Sequence, residues 1–144
     1  MQIPAIPLIL GLAGTLPFLG AALSLWLGTR LVPFSPAPVS VAIIYGQIIL
    51  SFMSGVIWGF AAKASGARAM VGYVLSVIPA LWVLFTAWAD PAEVIWSLMA
   101  GFAALLLIDA LFWSWGLAPR WWMRLRLLLS GIVIAALIVV LLHV

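Results

Sequence analysis

Five stretches of about twenty apolar residues, joined by connectors too short to hold a domain, constrain this chain more than any other feature. A helix rises about 1.5 Å per residue, so roughly twenty residues cross the ~30 Å hydrocarbon core of a bilayer. Hydrocarbon offers no partner to the peptide N–H and C=O, so a spanning segment must satisfy its own backbone as a helix or close into a barrel. A barrel needs strands of about ten residues that alternate apolar and polar positions, a pattern absent here. The expected fold is all-α: a single domain over 1–144 with five transmembrane helices at about 7–28, 39–62, 70–88, 94–116 and 120–143. Composition agrees, with 6% charged residues against the roughly 25% that a water-facing surface carries.

Proline and glycine punctuate the spans. Pro4 and Pro7 fall at the start of the first, where a missing N–H costs little, whereas Pro17 lies inside it and predicts a kink. Pro33, Pro36 and Pro38 stiffen the first connector, and Pro79 predicts a kink in the third span. Asp90, Pro91 and Glu93 read as the N-cap and first turn of the fourth. The amino-terminal run lacks a basic region and an evident cleavage site, and reads as a retained span.

Connector charge sets the expected orientation. Lys63, Arg68, Arg120, Arg124 and Arg126 fall on the side of the amino terminus, and only Arg30 on the other, beside Asp90 and Glu93. The positive-inside bias puts the amino terminus in the cytoplasm and the carboxyl terminus outside. Eight tryptophans fall near span ends and read as headgroup-level anchors: Trp26, Trp58, Trp88, Trp96, Trp113, Trp115, Trp121 and Trp122. Trp82 lies deeper. The cations are too few and too scattered for a nucleic-acid surface, which leaves membrane lipids and other integral membrane proteins as partners. The expected location is a bacterial inner membrane.

Chemistry-bearing residues are scarce. Asp109 lies about seven residues before the end of its span, ~10 Å deep at the helical rise. Arg126 stands at a comparable depth in the next span, so an ion pair of Asp109 with Arg126, or with Arg124, is expected. A lone carboxylate there would cost about 2.5–3.5 kcal/mol. The second span is the most polar, and Tyr45, Gln47, Ser51 and Ser54 form a candidate pocket. Small residues recur at every fourth place, as Ser51, Gly55 and Gly59 in the second span and Gly72 and Ser76 in the third, which predicts close helix packing. His143 stands alone and cysteine is absent, so no metal site or other cofactor site is expected. No His or Lys at span depth can serve a serine as base, and neither a phosphate-binding glycine loop nor an HExxH occurs. The expected protein is not an enzyme.

Three stretches carry a resemblance: GLAGTLPFLGAAL, YGQIILSFMSGVIWGFA, and an Asp followed by GLAPRWWMRLRLLLSG. They resemble the bacterial and mitochondrial family of unknown function, domain 3429, that includes transmembrane protein 69. The resemblance marks Pro17, Tyr45, Gly46, Ser51, Gly55, Trp58, Gly59, Asp109 and Arg126 as motif positions. Ile57 stands where relatives often carry a basic residue, which lowers an ion-conducting or enzymatic reading. The family implies the five-span architecture and no activity.

Two functional expectations follow. The first is an accessory subunit or assembly factor of a larger respiratory or photosynthetic membrane complex, held by the small-residue stripes. The alternative is a binder of a small solute, lipid or pigment tail, or a minimal transporter, built on the proline kinks and the polar face of the second span.

Overall fold

In the computed structural model, which describes residues 2–29, 31 and 37–144, every regular element among the described residues is a helix. In chain order these are α1 (Ala5–Ala13), α2 (Leu16–Leu27), α3 (Pro38–Ala61), α4 (Gly66–Thr86), α5 (Pro91–Ser114) and α6 (Trp122–Leu141). Helices α1 and α2 together make one span, Ala5–Leu27, and with the other four they give five helices long and apolar enough to cross a membrane. Large apolar side chains such as Ile48, Phe52, Val74, Leu107 and Leu127 cover the outside of the bundle. A soluble protein does not carry an apolar surface that continuous; a lipid-facing one does.

The first span is broken rather than bent. Pro17 has no N–H to give, and its ring crowds the carbonyl one turn back. The helix therefore stops at Ala13 and restarts at Leu16. Thr15 bridges the gap, with both its N–H and its Oγ1 donating to Leu12 O at 3.0 and 2.7 Å. The break leaves α1 without a single buried residue, whereas α2 sends Phe18, Ala21, Ala22 and Ser24 into the interior.

Other boundaries shift for local reasons. Helix α4 begins at Gly66, four residues before the expected start, because Ser65 is extended and serves as its N-cap, which leaves Arg68 in the first turn. Asp90 and Pro91 do open α5, but the Asp90 side chain makes no capping hydrogen bond. Pro119 opens a turn rather than α6: the Trp122 N–H donates to Pro119 O at 3.0 Å, and the helix starts there. Helix α5 ends in a left-handed Gly116 at φ +73°. There the Leu117 N–H reaches Phe112 O and the Gly116 N–H reaches Trp113 O, both at 3.0 Å. This Schellman arrangement satisfies carbonyls that would otherwise be orphaned at the helix end. Arg30, Pro33 and Pro36 lie outside the described residues.

Helices α2, α3, α4, α5 and α6 follow one another around the bundle, α6 closes back onto α2, and α3 touches α5 across the middle. Phe18, Leu50, Ile57, Ile95, Leu98, Phe102, Leu105, Phe112 and Leu137 fill the centre. The small residues of α4 do what their spacing predicts. Gly72 lies against Ala61, where an added Cβ would come within 3.0 Å of the alanine methyl, and Ser76 is buried. On α3 the glycines of the expected stripe do not face the interior. Ser54, Ile57 and Ala61 face inward, while Gly55 and Gly59 are exposed and an added Cβ would meet nothing. Ser54 stands one residue, about 100° of helix rotation, from Gly55, which is enough to bring the serine inside and leave the glycine outside.

Candidate intramembrane site

Asp109 is the polar centre of the bundle. It is fully buried on α5, and each carboxylate oxygen has one donor. Arg126 Nε–H donates to Oδ2 at 2.7 Å. Trp122 Nε1–H donates to Oδ1, also at 2.7 Å. Trp122 and Arg126 stand four residues apart on α6, which puts both on the face turned to α5. Arg124 is on the exposed surface. Its place near a span end makes Trp122 an expected headgroup anchor. Here its indole is a ligand of the buried acid, and its ring meets Phe60 edge-on at 5.1 Å.

That indole changes what the guanidinium can do. Side-on pairing normally sets Nε and Nη2 against the two oxygens of a carboxylate as a fork. Trp122 holds Oδ1, so Arg126 engages through Nε alone, and Nη2 is buried with no partner among the described residues. One turn further along α6, the Ser130 hydroxyl is also buried and unpartnered. Trp122, Arg126 and Ser130 thus form a polar row at four-residue spacing on one face of α6, whose other charged residue, Arg124, is exposed. Ser130 is not among the expected site residues, although its four-residue spacing from Arg126 is visible in the sequence.

Arg126 and Ser130 line a cavity of about 360 Å³ between α1, α2, α3, α5 and α6. Gly11, Gly14 and Thr15 at the helix break form one wall, and Phe18, Tyr45 and Phe102 form an aromatic one. Phe18 stands 5.2 Å from Tyr45 and 6.2 Å from Phe102, measured between ring centroids. Leu10 and Phe52 line the cavity and are exposed on the outer surface of the bundle, so it opens sideways toward lipid. The break at Pro17 makes this space, because a continuous helix would not divide the span into a buried α2 and a peripheral α1.

The polar residues predicted on α3 part company. Tyr45 lines the cavity; Gln47 and Ser51 do not. Ser54 faces α4, where its Oγ accepts the Ala80 N–H at 3.0 Å beside Pro79. Trp26, Trp58, Trp88, Trp96 and Trp113 are exposed, and Trp115 and Trp121 half-buried. The deeper Trp82 ties α4 to α5 by donating to Ser97 O at 2.8 Å. His143 lies at the end of the chain with Nδ1 2.8 Å from Val139 O.

The sequence profile of a family described as protein of unknown function (DUF3429) matches residues 3–142. No curated protein and no solved structure matches the chain.

Proposed function

The chain belongs to the DUF3429 family, which carries no assigned activity, and from the site we propose a non-enzymatic membrane protein that holds a lipid-soluble molecule in its lateral cavity. The observation that carries this reading is the cavity itself. It is of ligand size, opens toward lipid, and is lined by Arg126 and Ser130, whose Nη2 and Oγ have no hydrogen-bond partner among the described residues. We place the protein in the bacterial inner membrane with its amino terminus in the cytoplasm. The exposed Lys63, Arg68, Arg120 and Arg124 support that orientation. So does the contact from Lys63 Nζ to Leu117 O at 3.4 Å, which joins the two basic turns at one end.

Purification in mild detergent followed by native mass spectrometry tests the reading. The wild type is expected to retain a defined apolar molecule in stoichiometric amount. A variant with Ile49→Phe and Val133→Phe, which fills the cavity from two walls, is expected to lose it. Equal retention by both proteins would remove the cavity as the binding place.

A second reading is an accessory or assembly factor that docks on another membrane protein. It is favoured by the outward-facing Gly55 and Gly59, where a partner helix has room to approach. Gly55→Leu with Gly59→Leu should then abolish recovery of a larger complex from native membranes. Recovery unchanged by both leucines would rule against that face.

A further inference from the structure

We infer that the cavity selects a neutral amphiphile whose head is a carbonyl acceptor, either a quinone-type ring or the ester of a neutral glycerolipid, with its tail leaving toward lipid past Leu10 and Phe52. This rests on the ligand-binding reading above and adds the chemistry of the head.

The first argument is the pair of unmet polar atoms. Hydroxyls in membrane helices ordinarily bond back to a carbonyl of their own helix. Ser76, Thr86 and Ser114 all do so here, at 2.7–2.8 Å. Ser130 does not, although it is only 1% exposed. Arg126 is 5% exposed and has an Nη2 without a partner because Trp122 occupies the carboxylate oxygen it would otherwise take. Both residues line the same cavity. Leaving two such groups unsatisfied in hydrocarbon is costly, and an acceptor in the cavity is the partner that suits a guanidinium N–H and a hydroxyl together.

Charge then separates the acceptors. Asp109 already pairs with Arg126, so the site offers donors without offering net positive charge. A fatty-acid carboxylate or a phosphate head would bring an uncompensated negative charge into hydrocarbon beside Asp109. A carbonyl accepts the same hydrogen bonds and brings none. The walls agree, since Phe18, Tyr45 and Phe102 present aromatic faces and edges to a head of ring or ester size. A volume of about 360 Å³ holds such a head with a few carbons of its tail, not a whole lipid.

The test uses the full chain in nanodiscs and four probes: a short-tailed quinone, dioctanoylglycerol, octanoate and a hydrocarbon of matched tail length. Binding is read as the rise in Tm with probe concentration. Either carbonyl probe, or both, should raise Tm, and which of them does so identifies the source of the head. Octanoate and the hydrocarbon should have little effect. Ser130→Ala should weaken the effective carbonyl probe about fivefold, the effect of one net hydrogen bond, while leaving the probe-free Tm unchanged or higher. If the hydrocarbon binds as well as the carbonyls, or octanoate binds best, the assignment of the head is wrong although the cavity still binds. If no probe binds and the cavity-filled Ile49→Phe, Val133→Phe protein retains the same molecules as the wild type, the ligand-binding reading falls as well.

Discussion

Helix α4 against α3, and α6 against α5 and the α1–α2 span, are two polar seams in one apolar bundle, and they handle their polar atoms in opposite ways. Along α3–α4 every small polar group that points inward is used. Ser54 takes the Ala80 amide beside Pro79, Ser76 donates to Tyr73 O, and Gly72 gives its missing side chain to the close approach of Ala61. Along α6 the polar row runs Trp122, Arg126, Ser130; its first two members hold Asp109, and the row ends on an Nη2 and a hydroxyl with nothing to bond. Both seams are rich in small and polar residues, which in a membrane protein ordinarily means helix adhesion. Polar content alone therefore does not mark a site; unmet polar content beside a cavity does.

The largest effect lies at the centre of the α6 seam. Asp109→Leu strands the buried Arg126 charge and should cost about 3–5 kcal/mol, whereas Asp109→Leu with Arg126→Met should return close to wild-type stability. Unfolding in mixed detergent–SDS micelles measures both. A double variant as unstable as the single one would mean that the pair contributes something other than charge compensation. Trp122→Phe comes next. It keeps the ring against Phe60 but removes one charge-assisted donor, for a loss of at most about 1.5–3 kcal/mol. The loss is capped because Nη2 can swing onto the vacated oxygen and complete the fork. That movement gives Nη2 a partner inside the protein, so this variant should also retain less bound ligand than wild type, a result that stability alone would not produce. On the α4 seam, Gly72→Val forces atoms into a gap where even a Cβ sits 3.0 Å from Ala61 and 3.2 Å from Phe112. Overpacking of that kind costs about 1–3 kcal/mol, while Gly55→Ala, facing outward, should be neutral or slightly stabilising. Equal costs at the two glycines would erase the distinction between the faces.

The five spans were legible because apolar length is a one-dimensional signal, and hydrocarbon permits few alternatives to a helix. Asp109 with Arg126 was within reach of the same arithmetic, since two residues flanking one turn at similar depth must meet if their helices are antiparallel. What the sequence could not show was rotation. Whether Gly55 or Ser54 faces α4 is a matter of one position, and a helix apolar on every side gives its hydrophobic pattern no preferred face. Trp122 was misread for a related reason: near a span end an indole suits the headgroups as well as a buried carboxylate, and only its four-residue spacing from Arg126 separates the two. The cavity was beyond the sequence. Pro17 announced a disruption, but whether a kink closes over its gap or leaves one depends on how α1 then packs.

The most direct contrast between the seams is a pair of serine-to-alanine changes. Ser54→Ala removes the acceptor of the Ala80 amide at a buried helix contact, and a donor left unsatisfied there should cost about 1–3 kcal/mol. Ser130→Ala removes a hydroxyl that is also buried, but one with no hydrogen-bond partner among the described residues. In ligand-free protein its loss should cost nothing and can stabilise, because an unpaired polar group leaves the apolar interior. The two alanines thus delete the same atom from the same kind of environment and should move stability by different amounts, read side by side in SDS unfolding after delipidation. If Ser130→Ala costs as much as Ser54→Ala in delipidated protein, Ser130 has an internal partner and belongs with the adhesive seam. If the cost appears only before delipidation, the missing partner is the molecule that was removed, and the α6 row is a binding surface rather than an interface between helices.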